Sequence, residues 1–116
     1  MNARNQVAHD AYLRYVILDN SDATGHIAST LIRYYYPDKP FITLNRKDGS
    51  VRISARGTPQ LIKAGLDLSL VLGEASKSVG GGGGGHNIAS GAGIPLDTES
   101  DFLRKASEII RAQMGL

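Results

Sequence analysis

Residues 80–93 read GGGGGGHNIASGAG, and the interpretation of the whole chain turns on this stretch. Six consecutive glycines remove every Cβ, so the backbone is free to take positive φ and to bring several N–H groups against a ligand. A loop of that kind suits an anion. His86 closes the run with a ring that donates a hydrogen bond, or carries a full charge when protonated, to an oxyanion. A flexible linker is the plain alternative, but linkers continue in Ser, Gly and Pro. Here Ile88, Ala89, Ala92 and Ile94 follow at once. Glycine held between structured elements costs entropy, which implies a use.

The surroundings bound what that use is. With 116 residues the chain makes one domain able to bury its own core. It is 41% hydrophobic and 21% charged, the balance of an ordinary globular protein. No apolar run approaches the ~20 residues of a membrane span. Without cysteine and without a signal-like N-terminal stretch, neither disulfides nor export is indicated, and a cytoplasmic setting with no membrane partner is expected. Thirteen basic and 11 acidic residues leave a net charge of +2, so bulk charge makes no case for nucleic acid. Any basic site has to be local.

Ahead of the glycines, residues 1–9 are polar and aperiodic and read as a flexible lead-in. Residues 12–19 (YLRYVILD) are apolar and β-branched on both faces, as in a buried central strand. Asn20, Ser21 and Asp22 end it, and the last two are candidate caps for a helix to about Tyr35 that Pro37 and Pro40 close. Strand, helix and next strand make a βαβ-like opening. Residues 41–46 and 50–56 flank Lys47-Asp48-Gly49, an Asp-Gly hairpin signal. In the second strand Val51, Ile53 and Ala55 share one face and Arg52, Ser54 and Arg56 the other. Two guanidiniums flanking a hydroxyl match phosphate oxygens, although a solvated strand face carries the same residues.

Thr58-Pro59 opens a short helix that Gly65 stops, and Asp67 caps a second whose stripe is Leu68, Val71, Leu72, Ala75 and Val79. That helix ends at the glycine run, so its negative C-terminal end does not attract an anion, and the attraction must come from loop amides, His86 and arginines elsewhere. Residues 87–90 are expected to make a helical turn and 92–96 a short strand. Thr98 to Asp101 resembles a capping box before a helix to about Gln113. The sum is one α/β domain over residues 10–114, with a mixed, partly antiparallel sheet of four to five strands packed by three main helices.

Catalytic chemistry is sparse. His9, His26 and His86 lie far apart, none at a metal-ligand spacing from an acid. Asp19 and Asp22 read as turn and cap residues. No Lys-Ser or Lys-Thr follows the glycines, which excludes a Walker loop. The run also follows a helix where a dinucleotide fingerprint follows a strand, so that class is excluded too.

Taken in order, VRISARG from Val51, GLDLSLVLGEASKSVGGGGGGH ending at His86, and NIASGAGIP ending at Pro95 resemble the domain that accompanies the catalytic DHH domain in DHH-family phosphoesterases. The likeness extends to archaeal RecJ-like exonucleases in particular. It implies a substrate-binding half in which Gly83, Gly84, Gly85 and His86 hold substrate phosphate together with Arg56, with Arg52 and Ser54 on the same strand face. It implies no catalytic residue and no cofactor in this chain. The Mn or Mg ions and the Asp-His-His triplet belong to a DHH domain, and no such triplet occurs here. The implied partners are single-stranded nucleic acid or a short oligonucleotide and a DHH catalytic domain. The C-terminal domain of alanyl-tRNA synthetase is similar too and implies tRNA binding and self-association, but histidine after the glycines favours the phosphoesterase branch.

Overall fold

The computed structural model describes residues 8–19 and 38–116. The helix expected up to Tyr35, His26, and residues 1–7 of the expected lead-in lie outside the described residues. In chain order the elements are β1 (Ala8–His9), β2 (Arg14–Asp19), β3 (Phe41–Lys47), β4 (Ser50–Arg56), α1 (Pro59–Lys63), α2 (Leu68–Ser78), β5 (Gly82–Gly85), β6 (Ala89–Pro95) and α3 (Glu99–Gln113). The strands form one mixed sheet in the order β1-β2-β3-β4-β6-β5. Among the described residues the sheet has six strands, against the four to five expected. β1 holds only two residues, one of them His9, and β5 is the glycine run itself.

β2 and β3 run parallel, the pairing a βαβ-like opening requires, and the other neighbours are antiparallel. Between β3 and β4 the turn takes φ of 54° at Asp48 and 79° at Gly49, the left-handed pair that an Asp-Gly hairpin supplies. β3 lies inside the sheet, and Phe41, Ile42, Thr43, Leu44 and Asn45 are all buried. On β4, Val51, Ile53 and Ala55 are buried while Arg52, Ser54 and Arg56 alternate with them on the opposite face, as the period-two pattern requires.

The helices cover the face that carries Val51, Ile53, Ala55 and Ile94. Leu68, Val71, Leu72 and Ala75 of α2 and Phe102, Ala106, Ile109 and Ile110 of α3 join one core there. Burial of a side chain of this size stabilises by roughly 1.5–3 kcal/mol. The caps expected at Thr58 and Asp67 form. Thr58 Oγ1 accepts the Leu61 amide at 3.2 Å, and Asp67 Oδ1 accepts the Ser69 and Leu70 amides at 3.0 and 3.5 Å.

The capping box at Thr98 does not form. Its hydroxyl donates instead to the Pro95 carbonyl at 2.7 Å, and Asp101 accepts from Arg104 at 2.9 Å. Glu99, 4% exposed, turns under the helix, where its Oε2 accepts from Arg46 Nε at 2.6 Å. That hydrogen bond, with the charge behind it, raises the Arg46 pKa and commits this arginine to the helical face. No helix among the described residues is long and apolar enough to cross a membrane.

Candidate functional site

The glycine run is not a loop. Gly82–Gly85 pair antiparallel with β6 in the register Gly82↔Gly93, Gly83↔Ala92, Gly84↔Gly91 and Gly85↔Ser90. Residues 87–90, expected as a helical turn, are a two-residue connection and the start of β6. His86 N–H donates to Ala89 O at 2.8 Å, and Ala89 N–H returns a bond to His86 O at 3.3 Å. The Asn87-Ile88 turn is tied down by its carbonyls: Asn87 O accepts the Leu68 amide at 2.8 Å and Ile88 O the Gly57 amide at 2.9 Å. Buried Ser90 adds a hydroxyl bond to His86 O at 2.7 Å.

This register decides which expected site residues meet. Arg56 lies opposite Ala89, and Ala89 lies opposite His86, so the guanidinium and the imidazole belong to one cross-strand row. Residues directly opposite share a face, and two strand spacings separate the Arg56 and His86 backbones by about 10 Å. The next rows on that face are Ser54–Gly91–Gly84 and Arg52–Gly93–Gly82. Arg52 and His86 are exposed and Ser54 and Arg56 half-buried.

Arg56 Nη1 donates to the Ala55 carbonyl at 2.8 Å. Because the Gly57 amide points to β6, the polar groups of Ala55, two residues back, point the same way, and this bond draws the Arg56 head toward β6 and His86. Arg52, Ser54, Arg56, Gly84 and His86 thus share a face.

Gly83 and Gly85 do not join them. Strand alternation puts both on the helical face, and a Cβ added to them would come within 2.5 Å of Ala92 Cβ and 2.9 Å of the Ser90 Cα, respectively. Their glycine identity serves close strand packing. Since the His86–Ala89 pair exchanges both bonds, alternation also makes Gly84–Gly91 a bonded pair. The Gly84 amide is therefore spent on β6, while those of Gly83 and Gly85 point to the outer edge of the sheet. A cradle of converging loop amides is replaced by a flat, side-chain-free strand.

Gly82, Gly91 and Gly93 are site-face residues the expectation omitted; a Cβ on Gly82 or Gly93 would meet nothing within 4 Å. The alternation in ASGAGIP, small residues on one face and Ser90, Ala92 and Ile94 on the other, is the sequence signal that marks the face.

A depression of about 360 Å³ lies elsewhere, along α3, lined by residues including Thr98, Asp101, Arg104 and Glu108. Among the described residues no three His, Cys, Asp or Glu side chains gather as metal ligands would, so the described site residues do not fit a divalent ion.

A mixed sheet with α2 and α3 packed on one face defines an α/β domain. Residues 13–112 match the DHHA1 domain model, and the chain belongs to the DHHA1 domain family, whose members are associated with DHH phosphoesterases. It is 41% identical over 90 residues to an uncharacterized protein of Methanocaldococcus jannaschii, covering 78% of this chain and 20% of that protein. The chain spans about a fifth of the length of that relative.

Two solved structures share the fold at low identity. The C-Ala domain of Aquifex aeolicus alanyl-tRNA synthetase superposes with a TM-score of 0.70 and 17% identity over 95% of this chain and 99% of that one. The pGpG-specific phosphodiesterase PggH of Vibrio cholerae gives a TM-score of 0.61 and 15% identity over 92% of this chain and 36% of that one.

Proposed function

We propose that this chain is the substrate-binding half of a DHH-family phosphodiesterase, of the RecJ-like exonuclease type, acting on single-stranded nucleic acid or short oligonucleotides. The observation that carries the reading is the cross-strand row that puts Arg56 and His86 on one face of the sheet. A phosphate above Ala89 receives the guanidinium from one side and the imidazole from the other, with the Ser54 hydroxyl one row along. Ala89 and the bare glycines let the phosphate approach the sheet closely. Charge-assisted hydrogen bonds of this type are the strong ones, and a phosphate so fixed holds the adjacent phosphodiester in place. These residues bind and orient.

The divalent ions and the bond cleavage belong, in this reading, to a DHH domain, and the match of this chain to only part of PggH agrees with that division of labour. Phosphate contacts carry no base information, so binding is expected to be nearly sequence-independent and to weaken with salt. In a titration with single-stranded oligonucleotides, His86→Ala and Arg56→Ala each weaken binding about tenfold. Affinities equal to that of the parent protein would remove the proposal.

A second reading has its own observation: this chain superposes on nearly the whole of the C-Ala domain. It makes the protein an RNA-binding or self-associating module. A tight dimer in light scattering that prefers folded tRNA to single strands would favour it.

A further inference from the structure

The basic row does not stop at the phosphate site. Arg52 is exposed, and among the described residues its side chain has no hydrogen-bond or ion-pair partner. It shares a face with Arg56 but stands four residues away along β4, about 14 Å at the rise of an antiparallel strand. The bond from Arg56 Nη1 to the Ala55 carbonyl holds that guanidinium at its own end of the strand, so the two arginines do not close on one phosphate. Within β4, β6 and β5 the row between them is Ser54–Gly91–Gly84, whose longest side chain is a hydroxymethyl group. Among the residues of these three strands, no longer side chain stands between the two cations. Beside Arg52 the sheet continues through Gly93 and Gly82, where space for a Cβ is open.

Resting on the reading above, we infer that Arg52 forms a second phosphate subsite, so that the ligand is a single strand extended along β4 and longer than a dinucleotide. Charge chooses an anion, and the separation chooses a polyanion. Among the described residues, the rows formed by β4, β6 and β5 carry no aromatic ring on which to stack a base, so these strands hold the ligand by its sugar-phosphate chain. The site then ranks ligands by length and not by sequence.

Fluorescence anisotropy with a 5′-phosphorylated dinucleotide and a 5′-phosphorylated hexanucleotide, each over a salt series, tests this. The parent protein binds the hexanucleotide more tightly. Arg52→Ala shrinks that length gain about tenfold and lowers the hexanucleotide salt slope by about 0.7, the share of one phosphate on a single strand. Gly93→Val, which adds its side chain in open space, shrinks the gain likewise while the melting temperature holds.

Arg56→Ala weakens both ligands and keeps the gain. A length gain that Arg52→Ala leaves intact, or a parent protein with no gain, overturns the second subsite. If dinucleotide binding still responds to His86→Ala, the first reading survives that result. A parent protein that binds neither oligonucleotide ends both.

Discussion

Replacing Gly83 and Gly82 by alanine separates the two uses of the glycine run. Neither residue takes a positive φ, so both backbones accept a side chain and only the surroundings differ. At Gly83 the new Cβ would sit 2.5 Å from Ala92 Cβ, 2.6 Å from the Gly91 carbonyl oxygen and 2.8 Å from Ala92 Cα. Favourable carbon contacts lie near 3.5–4.0 Å, about an ångström further out. Two of the three obstacles are backbone atoms of the neighbouring strand, so no rotamer change relieves them and β5 must move off β6.

Overpacking of that kind costs about 1–3 kcal/mol. For a domain of this size, with roughly 3–5 °C lost per kcal/mol, Gly83→Ala lowers the melting temperature by about 3–15 °C. At Gly82 the same methyl meets nothing within 4 Å. It restricts the unfolded chain and leaves stability unchanged or raises it by about 0.4–1 kcal/mol. Thermal unfolding followed by circular dichroism, with urea midpoints as a check, measures both. Equal destabilisation by the two substitutions, or a neutral Gly83→Ala, would refute the assignment of alternate glycines to opposite faces.

Phe102 of α3 is fully buried in the core. Phe102→Ala is expected to cost about 3–5 kcal/mol in urea unfolding, without selective effect on the length dependence of binding in whatever fraction stays folded. Asp38 is bridged to Arg14, and the hydrogen bond from that guanidinium lowers the carboxyl pKa below 3.8. A lowered folded-state pKa means the pair contributes above about 3.8 and that the contribution disappears as the pH falls through the folded value. Asp38→Asn is therefore expected to reduce the urea midpoint slightly at neutral pH, in keeping with the about 0.2–1 kcal/mol of exposed pairs, and to converge with the parent protein in acid. A difference that persists well below pH 3.8 would show that the carboxylate charge is not its source.

Side-chain patterns made most of the domain legible. Asp48-Gly49 specified its hairpin, the alternation from Val51 to Arg56 its two faces, and Thr58 and Asp67 their helix starts. Where the side chain vanished, so did the signal. Gly82–Gly85 offer no alternation, and their strand character comes wholly from lying between β6 and α2. Thr98 carried the right residue for a cap, yet the Pro95 carbonyl outcompeted the helix amides for its hydroxyl group, and Glu99 was drawn away by Arg46. β1 is too short to show a period.

The site divided in the same way. That Arg52, Ser54 and Arg56 share a face follows from the period of a strand. That His86 joins Arg56 depends on a register across two further strands, which no local pattern encodes. The assignment of Gly83 and Gly85 to an amide cradle failed because a loop was assumed where the neighbouring strand imposes an extended chain.

An edge made of one repeated residue has no internal landmarks. A slide of two positions that brought Gly80–Gly83 opposite Gly93–Ser90 would again set a glycine of the run on every rung, since glycine-rich strands specify register weakly. What fixes the run is its two ends: the Gly81 amide tied to the Ser76 carbonyl at 2.8 Å, and the paired bonds of His86 with Ala89. The segment is therefore defined by its length, like a cord knotted at both posts. One residue more leaves slack beside Gly80, and one fewer pulls the imidazole away from its arginine.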